Sequence, residues 1–173
     1  MKKLLILMGA VGVLAVIGIF VFSSQKPEAE GPTSSTPTPQ AAEEVEVDTK
    51  ASFAIFTSGT LRIFTDSRYH NLSPDVYIES PNSTVVHVKK AGITWDDFFK
   101  TLPMKLEDGC LTTGTGQVFC TNETSALKFY INGQLDAAAL NRLINSGDKL
   151  LVSYGPPNDP AIPNQLQQVP EAK

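Results

Sequence analysis

The segment Ile93-Thr-Trp-Asp-Asp-Phe-Phe-Lys-Thr-Leu-Pro103 carries the clearest local signal in the chain and predicts its main helix. Thr94 and Asp97 have the spacing of a capping box, and Pro103 ends the helix after Leu102. Apolar side chains recur at the spacing of one helix face, at Trp95, Phe98, Phe99 and Leu102. A single apolar stripe of this kind predicts that the helix packs on a sheet.

The residues before this helix predict four strands. Phe53–Phe56 and Leu61–Thr65 are apolar runs joined through Ser58-Gly59. Val76–Glu79 and Thr84–Lys89 flank a turn and form a hairpin. The last strand alternates between two faces, with Val86 and Val88 on one and Val85, His87 and Lys89 on the other. Such alternation is typical of a strand that faces water on one side.

The residues after the helix predict a hairpin, two strands and a short second helix. The hairpin runs from Cys110 to Cys120, and a strand over Ala126–Ile131 ends at the turn dipeptide Asn132-Gly133. A short helix over Asp136–Asn145 directs three side chains inward, namely Leu140, Leu143 and Ile144. A final strand covers Lys149–Tyr154. The predicted fold class is therefore α+β, with a mixed sheet packed on one main helix.

Two segments resemble the closing strands of β-grasp domains, the ubiquitin-like class. They are Leu127-Lys-Phe-Tyr-Ile-Asn-Gly133 and Gly147-Asp-Lys-Leu-Leu-Val-Ser-Tyr-Gly155. They are especially similar to the extracellular β-grasp modules at the C-terminus of cobalamin-binding transport proteins and in surface-anchored prokaryotic proteins. The predicted order of elements is also that of a β-grasp fold. The resemblance implies an extracellular module with a β-grasp-like sheet.

A third segment, from Val85-Val-His-Val88 through Gly92-Ile-Thr-Trp-Asp-Asp-Phe-Phe99, resembles a group of uncharacterised membrane-anchored prokaryotic proteins. Those proteins carry a His-x-His strand before the same helix. This chain has Lys89 where that group has its second His, so the imidazole pair that would suggest a metal role is incomplete. Together the resemblances cover roughly Thr84 to Gly155.

The N-terminus predicts a membrane anchor. Lys2 and Lys3 precede nineteen uncharged residues, Leu4 to Phe22, which is just enough for a helix to cross the hydrocarbon core. Because positive residues prefer the cytoplasmic side, the rest of the chain is expected outside the cytoplasm. A cleaved signal peptide ending near Val21-Phe22-Ser23 is the alternative. Both interpretations export the domain, and the first makes it a single-pass protein of the cell membrane.

Composition divides the chain into four predicted regions. Residues 1–22 form the anchor, and residues 23–52, rich in Pro, Ser, Thr and Glu, form a disordered linker. Residues 53–155 form the extracytoplasmic β-grasp-like domain, and residues 156–173, with five prolines, form a disordered tail. From Phe53 to Gly155, ten acids nearly balance nine bases. A domain without a basic stripe is not expected to bind nucleic acid.

Cys110 and Cys120 are the only cysteines and are expected to form a disulfide. Two thiols in an exported domain that oppose each other across a hairpin lie within bridging range. A redox-active pair, as in a thiol oxidoreductase, and free thiols are the alternatives. Redox pairs usually form Cys-x-x-Cys at a helix N-terminus, whereas nine residues separate these two.

His70 and His87 are weak candidates for a metal site. Together with Met104 or the cysteines they could surround a soft metal such as copper, which would make the chain an extracytoplasmic metal-binding protein. Two isolated imidazoles lack the close, repeated spacing of metal ligands. His87 is therefore interpreted as a solvent-facing strand residue and His70 as a loop residue, and no cofactor is predicted.

Asn71, Asn82 and Asn122 begin three glycosylation sequons in predicted loops or turns. Asp96 and Asp97 suit the positive N-terminus of the main helix, which explains them without acid–base chemistry. No Ser or Thr has His and Asp partners at catalytic spacing, so an enzyme is not expected. The predicted function is a non-catalytic binding or interaction module for a protein, a glycan or a small ligand.

Overall fold

A computed structural model of the chain describes residues 46–173. The predicted anchor, Leu4 to Phe22, and the linker up to residue 45 lie outside the described residues. Among residues 46–173, no helix is long and apolar enough to cross a bilayer. The statements about the anchor therefore stay predictions.

The described part of the chain is a mixed α+β structure, as the sequence predicts. Its strands are β1 (Glu46–Thr57), β2 (Thr60–Leu61), β3 (Val76–Ile78), β4 (Val85–Lys90), β5 (Lys105–Glu107), β6 (Cys110–Thr112), β7 (Val118–Cys120), β8 (Ala126–Ile131), β9 (Gln134–Leu135) and β10 (Lys149–Gly155). Its helices are α1 (Trp95–Thr101) and α2 (Ile162–Gln167), and two 3₁₀ turns cover Ser67–Tyr69 and Ala139–Asn141.

One mixed sheet has the strand order β3-β4-β1-β10-β8-β9, with β2 beside β1. Its centre is the parallel pair of β1 and β10, in which Phe53 lies opposite Leu150 and Ile55 opposite Val152. Strands β4 and β8 pair antiparallel with the outer sides of this central pair. Strands β5, β6 and β7 form a second, smaller antiparallel sheet. Because parallel neighbours need a long crossover, α1 and the small sheet lie on the connection between β1 and β10.

Helix α1 covers one face of the main sheet. Thr94 and Asp97 form the predicted capping box: the Thr94 Oγ1 accepts from the Asp97 N–H, and an Asp97 carboxylate oxygen accepts from the Thr94 N–H. The Thr94 side chain, followed by its backbone N–H, holds the pKa of Asp97 below its usual value. The core under the helix joins Trp95, Phe98 and Phe99 to Ala51, Phe53, Ile55, Val86, Val88, Phe129, Leu150 and Val152.

The opposite face of the main sheet is covered by residues 156–173, here called the C-terminal strap, which contains α2. Ser52 Oγ donates to the Pro170 carbonyl at 2.6 Å, and the Lys128 ammonium donates to the Pro156 carbonyl. A second apolar cluster joins the strap to the sheet and consists of Ala54, Phe56, Leu151, Val169, Leu166 and Tyr130. The central strands are therefore buried on both faces.

Residues 46–52 of the predicted disordered linker and the predicted disordered tail, residues 156–173, are ordered instead. The last residues of that linker are part of β1, in which Lys50 pairs with His87 and Ser52 with Val85. The predicted tail is the C-terminal strap. For these residues the prediction was wrong because composition does not report the sheet face or partner strand that a few side chains of each segment meet.

The predicted short helix over Asp136–Asn145 was also wrong, since only a 3₁₀ turn forms there. The backbone of this segment forms hydrogen bonds with the start of α1 instead of with itself. The Ile144 N–H donates to the Ile93 carbonyl, and the Trp95 N–H donates to the Arg142 carbonyl. An α-helix would use these groups internally. Consequently Leu140 and Ile144 are buried as predicted, whereas Leu143 is 53% exposed.

Of the predicted strand Leu61–Thr65, only Leu61 is in a strand, as the second residue of β2. After one further bond, from the Arg62 N–H to the Ile55 carbonyl, the chain leaves the sheet. Phe64 then turns into the core and packs edge-on against Phe53, with ring centroids 5.1 Å apart. Strand β5 was not predicted. The disulfide hairpin, the β3–β4 hairpin, β8 and β10 lie where the sequence places them.

Replacing Val169 by Ala should destabilise the domain, because Val169 is 4% exposed and fastens the C-terminal strap to the sheet. Removing the two methyl groups should lower the free energy of unfolding by about 1–3 kcal/mol, measured by urea denaturation. The exposed neighbour Gln167→Ala is the control. If Val169→Ala and Gln167→Ala were equally stable, the packing of the C-terminal strap on the main sheet would be contradicted.

Candidate functional site

Cys110 and Cys120 form a disulfide, which confirms the prediction. They are opposed residues of β6 and β7, with Cα atoms 4.1 Å apart. The Thr121 N–H donates to the Gly109 carbonyl at 2.8 Å. Because this hydrogen bond joins the residues that flank the two cysteines, Cys110 and Cys120 themselves form a non-hydrogen-bonded pair. In such a pair the opposed side chains come closest. The bridge closes residues 110–120 into a covalent loop, here called the disulfide ring.

A cleft of about 320 Å³ lies between the disulfide ring and the loop that follows β2. Its deepest lining residues are apolar and largely buried: Ile55, Phe64, Tyr69, Leu111 and Met104. Leu61 and Ile63 stand at its mouth, where they are 41% and 72% exposed. A volume of this size is at the lower end of the range for small-molecule sites.

Arg62 ties the two walls of the cleft together. Its Nε donates to Thr57 Oγ1 at 2.5 Å, at the end of β1, and its Nη1 donates to Gln117 Oε1 at 3.1 Å, inside the disulfide ring. Its guanidinium carbon also lies 5.1 Å from the centre of the Phe119 ring. The Phe119 ring in turn packs edge-on against Tyr154 of β10. These four contacts together hold the ring wall against the main sheet.

Arg68 stands beside the same cleft on the 3₁₀ turn. Asp66 caps this turn by accepting from the Arg68 N–H at 2.9 Å, and its other oxygen lies 3.6 Å from Arg68 Nε. The Arg68 guanidinium lies 5.0 Å from the centre of the Tyr69 ring, a cation–π distance. The Arg68 side chain nevertheless remains 50% exposed. Its outer edge can therefore meet a ligand.

Gly114 brings the disulfide ring close to the floor of the cleft. A Cβ at this position would lie 2.8 Å from the Tyr69 hydroxyl and 2.8 Å from the Pro103 carbonyl oxygen. No larger residue fits without moving the backbone. Thr113 and Thr115 flank the glycine and present hydroxyls 3.0 Å apart to the cleft.

The two predicted metal candidates are engaged in separate contacts. His70 Nε2 lies 2.8 Å from the Phe64 carbonyl. His87 stacks on Tyr77, with centroids 5.1 Å apart, and its Nε2 lies 3.6 Å from a Glu79 oxygen. Burial lowers the pKa of His87. Within residues 46–173, no three His, Cys, Asp or Glu side chains are grouped as metal ligands.

The three sequon asparagines, Asn71, Asn82 and Asn122, are all exposed. The Asn122 side chain is also structural: its Oδ1 accepts from the Thr124 N–H at 2.9 Å, and its Nδ2 donates to the Tyr154 hydroxyl at 3.3 Å. Exposure is compatible with modification, and glycosylation stays a prediction.

No protein-family model matches the chain, and no curated protein or solved structure is significantly similar to it.

The sequence reasoning missed the cleft. It assigned Leu61–Thr65 to a strand, whereas Arg62 and Ile63 belong to a wall of the cleft, and it gave Arg68 and Tyr69 no role. One signal was present: Ile63 and Phe64 are adjacent apolar residues, and neighbours in a strand point to opposite faces. A strand there would point Ile63 and Phe64 to opposite faces, so both would be buried only if the sheet were covered on both sides, as it is at β1 and β10.

Replacing both cysteines, Cys110→Ala with Cys120→Ala, should lower the free energy of unfolding by about 2–3 kcal/mol, because the short ring no longer restrains the unfolded chain. Urea denaturation of the full chain measures the loss. Adding reductant should destabilise the unsubstituted protein to a similar extent and leave the double variant unchanged. Unchanged stability of the unsubstituted protein on reduction would contradict the disulfide.

Proposed function

We propose that this protein is a membrane-anchored, extracytoplasmic binding module without catalytic activity. The charged start and the apolar run from Leu4 to Phe22 support an anchor that holds the rest of the chain outside. A disulfide in the domain supports the same compartment, because such bonds persist in oxidising environments.

We further propose that the domain is of the β-grasp class. The strand order β4-β1-β10-β8-β9 supports this assignment, as does the parallel pairing of the first and last long strands. Helix α1 lies between β4 and β8 and packs on the sheet face that a β-grasp helix covers. The class suggests an architecture and leaves the ligand open, since fold alone does not imply function.

The single observation that carries the binding proposal is the cleft. Its floor is apolar, and Leu61 and Ile63 are exposed together at its mouth. Exposed apolar residues that line a groove are a mark of ligand-binding sites. Its walls are held by a disulfide and by the Arg62 contacts, so the site is formed before a ligand arrives. Preformed sites bind with less loss of conformational entropy.

The main-sheet face opposite α1 is less suitable as a binding surface. The C-terminal strap already covers it at Ala54, Phe56 and Leu151. The copper and thiol oxidoreductase alternatives gain no support from a specific observation. Their candidate side chains make other contacts, His70 and His87 with neighbours and the cysteines with each other.

Protease treatment of intact cells should release the domain into the medium, because the linker after Phe22 is expected outside the cytoplasm. An immunoblot against the C-terminal strap detects the released fragment, and a cytoplasmic protein serves as the intactness control. Both cysteines should resist alkylation until a reductant is added. A protected domain with two alkylatable thiols would contradict the proposed topology.

Ile63→Asp should abolish binding at the cleft, because a carboxylate at the apolar mouth loses hydration when a ligand covers it. Immobilised full-length protein is incubated with extracellular material from its source. The proteins, glycans and small molecules that it captures are then identified by mass spectrometry. The matched control is Leu143→Asp, an exposed aliphatic position that does not line the cleft.

Material captured by the unsubstituted protein and by Leu143→Asp should fall at least about tenfold with Ile63→Asp, which corresponds to about 1.4 kcal/mol. Equal capture by both variants would place the binding surface elsewhere. Failure of the unsubstituted protein to capture any specific component would contradict the proposed function itself.

A further inference from the structure

The charges around the cleft are unbalanced in favour of cations. Arg62, Arg68 and Asp66 all line it, which gives two positive groups and one negative group. This excess is local, since the whole chain has a net charge of −4. A cation held at the edge of an apolar cavity acts through a lower dielectric than one in open water, so its attraction for an anion is stronger there.

The charge of Arg62 has no acidic partner among the contacts that the structure describes. Its guanidinium meets the Thr57 hydroxyl, the Gln117 amide oxygen and the face of Phe119, which are all neutral. These contacts fix the position of the charge and leave it uncompensated. The half-buried Arg62 therefore contributes a permanent positive potential at the cleft.

Arg68 is placed to make the direct contact with an anion. Its Nε faces Asp66 at 3.6 Å, which is longer than a hydrogen bond, and its guanidinium carbon lies over the Tyr69 ring, 5.0 Å from the ring centre. Stacking on a ring leaves the edge of a guanidinium free, and that edge matches the two oxygens of a carboxylate. The side chain is half exposed, so a ligand reaches it without rearrangement.

From this arrangement we propose that the cleft binds an amphipathic carboxylate, with its apolar body on the floor formed by Phe64, Met104 and Leu111 and its carboxylate on Arg68. The inference rests on the proposed binding function and adds the chemical class of the ligand. The small volume limits the apolar body to a single ring or a short alkyl chain.

Met104 supplies a local reporter for the test. The chain has three methionines, and the other two, Met1 and Met8, lie in the N-terminal segment. Full-length protein with ¹³C-labelled methionine methyl groups, held in phospholipid nanodiscs, therefore gives one signal from the cleft. The variant Met104→Leu assigns that signal by removing it.

The probes are 4-phenylbutyrate, which is ionised at neutral pH, and its neutral analogue 4-phenylbutan-1-ol. The acid should shift the Met104 methyl signal saturably and bind at least about tenfold more tightly than the alcohol, because hydrogen bonds to charged groups contribute more than neutral ones. Because the neutral alcohol partitions into lipid more than the acid does, affinities are expressed against the free probe concentration, measured by equilibrium dialysis against empty nanodiscs.

Arg68→Gln should remove most of the preference for the acid, and Arg142→Gln should leave it unchanged. Arg142 is a suitable control because it is also exposed and paired with an aspartate, Asp136, yet does not line the cleft. Arg68→Lys should retain part of the preference for the acid, because lysine keeps the positive charge but lacks the planar guanidinium that can donate to both carboxylate oxygens.

Two results would overturn the carboxylate proposal and leave the binding function standing. They are equal affinities for acid and alcohol, and a preference for the acid that persists in Arg68→Gln. If neither probe shifts the Met104 signal, this ligand class is wrong as well. The binding function is then judged separately by the capture comparison of Ile63→Asp with Leu143→Asp.

Discussion

The parallel pairing of β1 with β10 is the constraint on which the rest of the structure depends. These two strands lie at the centre of the main sheet, and their apolar side chains point to both faces. A parallel pair of this kind must be covered on both sides. Helix α1 covers one face and the C-terminal strap covers the other. The architecture thus follows from the need to bury Phe53 and Leu150 on one side and Phe56 and Leu151 on the other.

The candidate site is attached to this same centre. Strand β1 ends at Thr57, which is 1% exposed and accepts the hydrogen bond from Arg62. Beyond the Arg62 side chain, Phe119 packs on Tyr154, the residue of β10 that lies opposite Thr57. Both walls of the cleft are therefore tied to the two central strands. The disulfide adds a covalent restraint to the wall formed by the disulfide ring.

This placement has a chemical consequence. A cleft on a flexible loop would have to be ordered by its ligand, whereas this one has a buried floor and side chains already held by hydrogen bonds and ring contacts. Its base is apolar, and its charged groups lie at the rim beside Leu61 and Ile63. Such a division is typical of sites that hold an apolar body and orient it through one polar end.

The sequence by itself determined the local elements whose signals are contained within a few residues. The capping box of Thr94 and Asp97, the turn at Asn132-Gly133 and the opposed cysteines each depend on neighbours along the chain or across a tight hairpin. The mixed α+β class and the strands β8 and β10 followed from these signals and from apolar periodicity. None of them required knowledge of distant residues.

Only the tertiary structure decided the roles of the segments with weak local signals. The C-terminal strap and the start of β1 look disordered by composition, and they are ordered because a distant strand or sheet face is available to each. The cleft arises in the same way: Arg62, Arg68 and the disulfide ring are far apart along the chain and meet through long-range packing. A single sequence contains no periodicity that reports such a meeting, since the free energy that produces it comes from contacts between elements.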